Sequence, residues 1–327
     1  MNDCILSICI VSYNTSSLTL DALRSSVQDI LRSPFLKNRT EILVVDNNSS
    51  DDSVAVLKEY KKATSVELSI IENPSNTGFA HANNLAISKA RGKYILLLNS
   101  DTFVQPLALE KLVAAFEEIP DQSTAYLGSH KNDLDRLGIL SACLVNSDGT
   151  YQHQGGNYPT LVSVANHLLL LDDIPVIGSL LPSTQRHTNY QYPEAAFPKL
   201  IKKDWVAGTA MVLRKEMLDE IGTLDEKIFM YGEDVELCVR AKDHHWDVAM
   251  HPTALITHLQ SASSSSSRAI VGEYKGYQYI WAKHKPIWQM PILHLIIRVG
   301  ILLRILLFGT MGSAEKVKTY KQAWKEI

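Results

Sequence analysis

Three acids and one histidine stand where chemistry could be done. The apolar run from Tyr94 stops on Asn99-Ser100-Asp101. A short unbroken run suits a strand buried on both faces of a parallel sheet, and open α/β sheets bind ligands beyond the carboxyl ends of their strands. Asp101 is therefore placed to meet a substrate or a metal; the alternative is a turn, or a cap for the helix near Pro106. Ile42–Val45 also ends on an acid, Asp46, which puts both carboxyls on one rim. Asp234 falls on the inward helical stripe of Leu237, Cys238 and Ala241, where an acid is a buried cap or a poised base. Glu236 and Arg240, as i,i+4 partners, read as that helix's solvated face. His258 follows the apolar Ala254–Ile256. It is a structural histidine or, with an aspartate, waters and phosphates, part of a Mn²⁺ or Mg²⁺ set that the imidazole tilts toward Mn²⁺.

The elements that must carry these groups alternate. Residues 5–13 read as a first strand, followed by a helix with Leu18, Ala22 and Val27. After Asp46, Ser49 and Asp52 resemble a capping box that opens a helix carrying Val54, Leu57 and Tyr60. A third strand is expected at Val66–Ile71, then a turn through Asn76 and Gly78, a helix with Ala82, Leu85 and Ala86, and the strand before Asp101. Leu109, Leu112, Val113 and Phe116 mark the next amphipathic helix. Four strand–helix alternations in the first 118 residues imply a doubly wound, Rossmann-like parallel sheet. No Gly-x-Gly-x-x-Gly follows the first strand and no P-loop is present, which argues against a dinucleotide dehydrogenase and a P-loop ATPase.

Beyond that half, Leu137–Val145 reads as a strand and Asp148-Gly149 as a hairpin turn. Residues 157–200, rich in proline, read as a loop-rich region over the cleft despite the apolar Leu161–Leu171. Thr209–Leu213, Val248–Met250 and Ala254–Ile256 are short strand candidates. Ser263–Ser267 reads as a mobile loop that orders over ligand.

The carboxyl end differs in kind. Residues 283–327 hold eight Lys/Arg against two Glu, so +6 within a chain of net charge −3. Ile292–Phe308 is apolar but contains His294, Arg298 and Arg304, which fall within a wedge of about 120°. A spanning helix is penalised by about 2.5–3.5 kcal/mol for each central Arg. An amphipathic helix in the cytoplasmic membrane interface, followed by Lys316, Lys318, Lys321 and Lys325, fits better. The alternative is a helix packed on the body or against a second subunit.

The totals bound the rest. With 46% apolar and 20% charged residues, the chain suits one large α/β domain with extensions. Its charge gives no global attraction to nucleic acid. Four scattered cysteines show neither a metal spacing nor a disulfide framework, so buried thiols are expected. The start does not read as a signal peptide, and a cytosolic protein is expected.

Six motifs occur in order: Ile10-Val11-Ser12-Tyr13-Asn14, Val44 to Asp51, Asn76-Thr77-Gly78-Phe79-Ala80 with Asn83-Asn84, Leu98 to Asp101, Gly208-Thr209-Ala210, and Phe229 to Glu236. Together they resemble the family 2 glycosyltransferases, in particular the bacterial rhamnosyltransferase-like branch, over roughly residues 5–285. The resemblance implies a GT-A fold and inverting transfer from a nucleoside-diphosphate sugar. By the same likeness Ser12, Tyr13 and Asn14 form the first nucleotide loop, Asp46 holds base or ribose, and Asn76, Gly78 and Asn84 close over the nucleoside. Asn99, Ser100 and Asp101 match the family's Asp-x-Asp, with Asn99 replacing the first acid and leaving one charge fewer. Asp101 and His258 become the metal ligands, Asp234 the catalytic base and Glu233 its partner. The family's glycine after the histidine is replaced here.

The chemistry agrees with this likeness. A divalent ion stabilises the leaving diphosphate, and a single displacement needs one base and no covalent carboxylate, so inversion follows. Trp205 could face an acceptor sugar and Gly208 give room for close approach; Trp205 as core packing is an equal alternative.

These readings lead to a membrane-peripheral transferase, with a GT-A catalytic domain at 1–270 (nucleotide half 1–118, acceptor half 119–270) and a basic helical region at 271–327. The expected donor is dTDP-rhamnose and the expected acceptor a lipid-linked saccharide. The rivals are a UDP-sugar transferase of the same fold and a catalytically silent, membrane-docked binding partner. A sugar-1-phosphate nucleotidyltransferase would need a Gly-rich, basic first loop, which residues 12–20 lack.

Overall fold

The computed structural model describes residues 4–117, 136–174, 176–184, 200–260 and 266–327. The first half runs β1 (Leu6–Ser12), α1 (Ser16–Arg32), β2 (Thr40–Asp46), α2 (Ser53–Ala63), β3 (Glu67–Glu72), α3 (Phe79–Lys89), β4 (Tyr94–Asn99), β5 (Thr102–Val104) and α4 (Ala108–Glu117). β3, β2, β1 and β4 lie side by side and parallel. Their side chains alternate between two cores, as strand periodicity requires. Ile8, Ile10, Ile42, Val44, Leu96 and Leu98 enter one core; Cys9, Leu43, Val45, Ile95 and Leu97 enter the other. This double burial is why the runs are apolar without alternation.

The second half adds β6 (Leu137–Val145), α5 (Leu161–Leu168), α6 (Ile177–Leu180), β7 (Ile201–Lys203), β8 (Ala210–Arg214), α7 (Lys215–Ile221), α8 (Glu233–Asp243) and β9 (Asp247–His258). The strand order is β3-β2-β1-β4-β8-β6-β9-β5, with β7 beside β9. β8, β5 and β7 run against the other six, so the sheet is mostly parallel.

Several expectations change. β5 joins β9 as a short antiparallel ladder. The two candidates at 248–250 and 254–256 form one strand whose register against β6 shifts between Ala142 and Cys143; Pro252 inside it has no N–H for the ladder. The stretch 161–171, expected to be loop, contains α5, whose Thr160–Ser163 capping box starts it. At α2 the expected Ser49–Asp52 box is replaced by Asp51, which accepts from Ser53 N at 3.1 Å, while Ser49 N turns back to Asp46. Ser266 and Ser267 belong to a helix; residues 261–265 and 185–199, including most of the serine loop, lie outside the described residues.

Three helices close the chain: α9 (Ser266–His284), α10 (Met290–Thr310) and α11 (Ala314–Glu326). With α5 they build a third core around Val164, Leu168, Tyr274, Trp281, Leu293, Ile297 and Ile301. Arg304 departs from the expected polar wedge. It is buried on the inward face and donates to Leu168 O and, at 3.3 Å, to His167 O, adding a side-chain donor to the carbonyls at the end of α5. Arg298 and His294 stay exposed. So do Leu295, Leu302, Leu306 and Leu307, which makes the outward side of α10 largely apolar. By length and composition Ile287–Thr310 could cross a membrane.

Candidate active site

The carboxyl ends of β1, β2 and β4 share one rim, because Ser12 pairs with Asp46 and Val11 with Asn99. Beside that rim opens a cavity of about 500 Å³, walled by Tyr13, Asn47, Asn76, Asn99, Asp101, Trp205, Gly208, Glu233 and Asp234 among others. Its size is ordinary for a small-molecule site.

Asp101 and His258 are brought together by β5, since Thr102 sits opposite His258 on β9. His258 Nε2 lies 3.4 Å from Asp101 Oδ1. Gln152, absent from the sequence reading, fixes the imidazole. Its Nε2 donates to Asn146 Oδ1 at 2.8 Å, to Val145 O and to His258 O. Its Oε1 must therefore accept, and His258 Nδ1–H donates to it at 2.9 Å. With Nδ1 engaged, Nε2 is left facing the Asp101 carboxyl oxygen, so the two groups could share a cation. Asp101 Oδ1 and Asn99 Oδ1 are both buried without a hydrogen-bond donor. Among the described residues no three His, Cys, Asp or Glu groups cluster tightly enough to hold an ion unaided. Two protein ligands plus phosphate oxygens and water is the usual set for a cation that arrives with a diphosphate, so these residues fit one.

Glu233 and Asp234 open α8 after two residues of left-handed backbone, Tyr231 (φ 71°) and Gly232 (φ 104°). Asp234 Oδ2 accepts from Gly208 N at 3.0 Å and Oδ1 from Val235 N at 2.8 Å. Glu233 Oε2 is buried with no donor. Burial raises the pKa of both carboxyls, and Asp234 raises Glu233 further. Backbone N–H groups favour the charged form of both, and Glu233, raised further by its neighbour, is the one that holds a proton more readily.

The other expected residues divide. Tyr13, Asn76, Asn99, Ser100, Trp205 and Gly208 line the cavity. Asp46 is buried at the rim behind it, with Oδ2 taken by Ser49 N and Oδ1 without a donor. Ser12 is buried among Thr15 and Thr19, and Asn14 bonds the 49–50 turn; neither lines the cavity. Gly78 (φ 88°) is required by close approach, since a Cβ there would meet Phe229 O at 2.4 Å. Asn84 faces elsewhere: its amide holds Leu224 and Glu226. Trp205 is 6% exposed, and its indole N–H donates to Thr184 O, so core packing and cavity lining coincide in one side chain. Gly208 contributes its N–H more than its smallness, because an added Cβ would lie an ordinary 3.4 Å from Asp234.

Glu236 overturns the solvated-face expectation. It is fully buried and accepts from Arg240, from Lys283 at 2.8 Å and from His284 at 2.9 Å, tying α8 to α9. Asn47 was missed as a site residue; its amide knits Asn73, Asn76 and Gly78 O together on the cavity wall.

Comparison with known proteins agrees with this geometry. Residues 7–156 match the model of glycosyl transferase family 2. The chain is 22% identical over 266 residues to an N-acetylglucosaminyl-diphospho-decaprenol L-rhamnosyltransferase of Mycobacterium tuberculosis, covering 77% of this chain and 78% of that one. It is 24% identical over 274 residues to the O-antigen biosynthesis protein RfbC of Myxococcus xanthus, covering 83% of this chain and 18% of that protein. In fold it is similar to the Pyrobaculum calidifontis mannosyltransferase PcManGT in complex with GDP-Man and Mn²⁺, with TM-score 0.52, 15% identity and coverage of 97% of this chain and 73% of that one. GalNAc-T7 with UDP, GalNAc and Mn²⁺ gives TM-score 0.56 at 16% identity, covering 85% of this chain and 50% of that one. Residues 7–156 are thus similar to glycosyl transferase family 2, and the fold as a whole is that of the GT-A glycosyltransferases among these neighbours.

Proposed function

We propose that this chain is an inverting, metal-dependent glycosyltransferase that moves L-rhamnose from dTDP-rhamnose to a lipid-linked saccharide during surface polysaccharide synthesis. The observation that carries this reading is the opening of Asp101 and the Glu233–Asp234 pair onto one cavity. The similarity to a rhamnosyltransferase named for a GlcNAc-diphosphate-lipid supports the donor and acceptor class.

In this proposal Tyr13, Asp46 and Asn76 hold the nucleoside, with Asn47 bracing the loops. Asp101 and His258 would hold Mn²⁺ or Mg²⁺, which would supply charge neutralisation to the leaving diphosphate. Asp234, kept aligned by Gly208 N–H and Val235 N–H, takes the acceptor hydroxyl proton as the oxygen attacks the anomeric carbon. Glu233, protonated beside it, spares Asp234 a second adjacent charge. No side chain need bond to the sugar, so configuration inverts.

The catalytic part runs through residue 270 and the helical part from 271, with α9 shared between them. We place that helical part on the inner, anionic face of the cytoplasmic membrane. The exposed leucines of α10 would enter the interface, and Lys316, Lys318, Lys321 and Lys325 of α11 would meet lipid phosphates.

The test is product analysis with dTDP-rhamnose, UDP-sugars and GDP-mannose, Mn²⁺ and a GlcNAc-diphosphate on a short polyprenol. Rhamnosyl transfer is expected; use of UDP-sugars alone would overturn the donor. Sedimentation with anionic vesicles tests docking. Wild type should bind and Leu302→Glu/Leu306→Glu should not, whereas a concentration-dependent dimer without vesicle binding would assign the face to a second copy.

A further inference from the structure

One charged group on the cavity wall has no part in the chemistry above. α9 turns Ala269, Ile270, Glu273, Tyr277 and Ile280 toward the cavity, a three-to-four-residue spacing that makes one helical face. Glu273 is the charged member of that face. Its Oε1 is buried with no hydrogen bond closed on it and lies 3.5 Å from His167 Nε2 at the end of α5. His167 Nδ1 in turn lies 3.3 Å from Asp172 Oδ2, which also accepts from Ser183 Oγ at 2.7 Å. Burial works against the imidazolium, but the carboxyls of Asp172 and Glu273 outweigh it and push His167 up to about 9. The ring is therefore a fixed cation at neutral pH, clamped between two carboxyls.

We propose that Glu273 recognises the acceptor, accepting hydrogen bonds from its sugar hydroxyls, and that His167, steadied by Asp172, is the residue that positions it. This rests on the transferase reading. A carboxyl group offers about four acceptor positions, and the contacts with His167 and with the Tyr277 hydroxyl leave others for a ligand. The donor's diphosphate is a poor occupant beside Glu273, because like charges repel. A neutral sugar ring suits it, with hydroxyl donors for the carboxyl and C–H faces for Ile270, Tyr277 and Trp205. The position is also apt. Gly276, nearly one turn along α9, lies against the backbone of Tyr231 and Gly232, so this helix is seated directly on the segment that delivers Asp234.

The experiment measures KM for the GlcNAc-diphosphate-polyprenol, KM for the donor, kcat, and slow donor hydrolysis without acceptor, in wild type, Glu273→Ala, Glu273→Gln and His167→Gln. Loss of a charged hydrogen-bond acceptor predicts acceptor KM raised about 10- to 100-fold in Glu273→Ala, with donor KM and donor hydrolysis within about twofold of wild type. Glu273→Gln should fall between, and the double variant Glu273→Gln/His167→Gln should lose little more than Glu273→Gln alone, as expected for a residue acting through another. If Glu273→Ala melts early, the shape-preserving Gln variant decides. An unchanged acceptor KM in a variant that still hydrolyses donor overturns this proposal alone. A wild type that neither transfers nor hydrolyses any nucleotide sugar overturns the transferase reading, and this one with it.

Discussion

In the first half, β1 to β4 run parallel and deliver their last residues to a common rim, so that strand order brings Tyr13 and Asp101 to the cavity and Asp46 to the rim behind it. From β5 onward the chain reverses and doubles back, and Gln152, Trp205, Asp234 and His258 are assembled by contacts between distant segments. The first half is a framework that local pattern determines. The second is held by pairings such as Thr102 with His258, Glu236 with α9, and Gly78 with Phe229. On the proposed function, the donor side is thus set by strand order and the acceptor side by contacts between distant segments.

Four substitutions would break or sharpen that contrast. Asp234→Asn should lower transfer about 10²- to 10⁴-fold, the usual worth of a general base, while nucleotide affinity measured by calorimetry stays at the wild-type value. Equal loss of both would merge the two halves. Asp101→Asn should lower Mn²⁺-dependent nucleotide affinity about 10- to 100-fold, and metal-free affinity little; chelation with EDTA should do the same to wild type.

Glu236→Gln tests the seam between α8 and α9. Burial pushes this carboxyl up, but hydrogen bonds from His284, Arg240 and Lys283 overcome it and hold it at about 2. A depressed carboxyl stabilises the fold above its unfolded pKa, near 4.5, and that contribution vanishes as pH falls through about 2. At pH 7 the variant should lose about 3 kcal/mol in denaturant unfolding, and the gap to wild type should narrow between pH 4.5 and 2. A constant gap would mean that Glu236 matters by shape alone. Smallest, Gly78→Ala forces a side chain into φ 88° against Phe229 O. It should cost about 1–3 kcal/mol and weaken nucleotide binding by shifting the loop off the 229–232 segment.

Legibility followed the same division. β1 to β4 were readable because burial on both faces leaves an unbroken apolar run, and Asp46 and Asp101 because such runs end abruptly. Asp234 was found from its place on an inward stripe. Glu236 was misread, since an i,i+4 pair with Arg240 looks the same whether water or α9 covers it. Asn84 was assigned to the nucleotide by likeness, yet its amide is occupied by the 224–226 turn. Gln152 and Glu273 carry no local signal: one acts through a ring far along the chain, and the other through α5, whose proline-rich surroundings suggested loop. Arg304 was placed with Arg298 by helical angle, but a carbonyl-rich helix end drew it inward.

The rung that joins Thr102 to His258 acts as a ruler. The distance between the two groups offered to a cation is set by backbone pairing, not by the length of the excursion separating them in the chain. Segments within that excursion can lengthen, shorten or change composition while the span across the rung stays the same. On the proposed function, a protein built this way is free to acquire new acceptors without retuning how it grips an activated sugar.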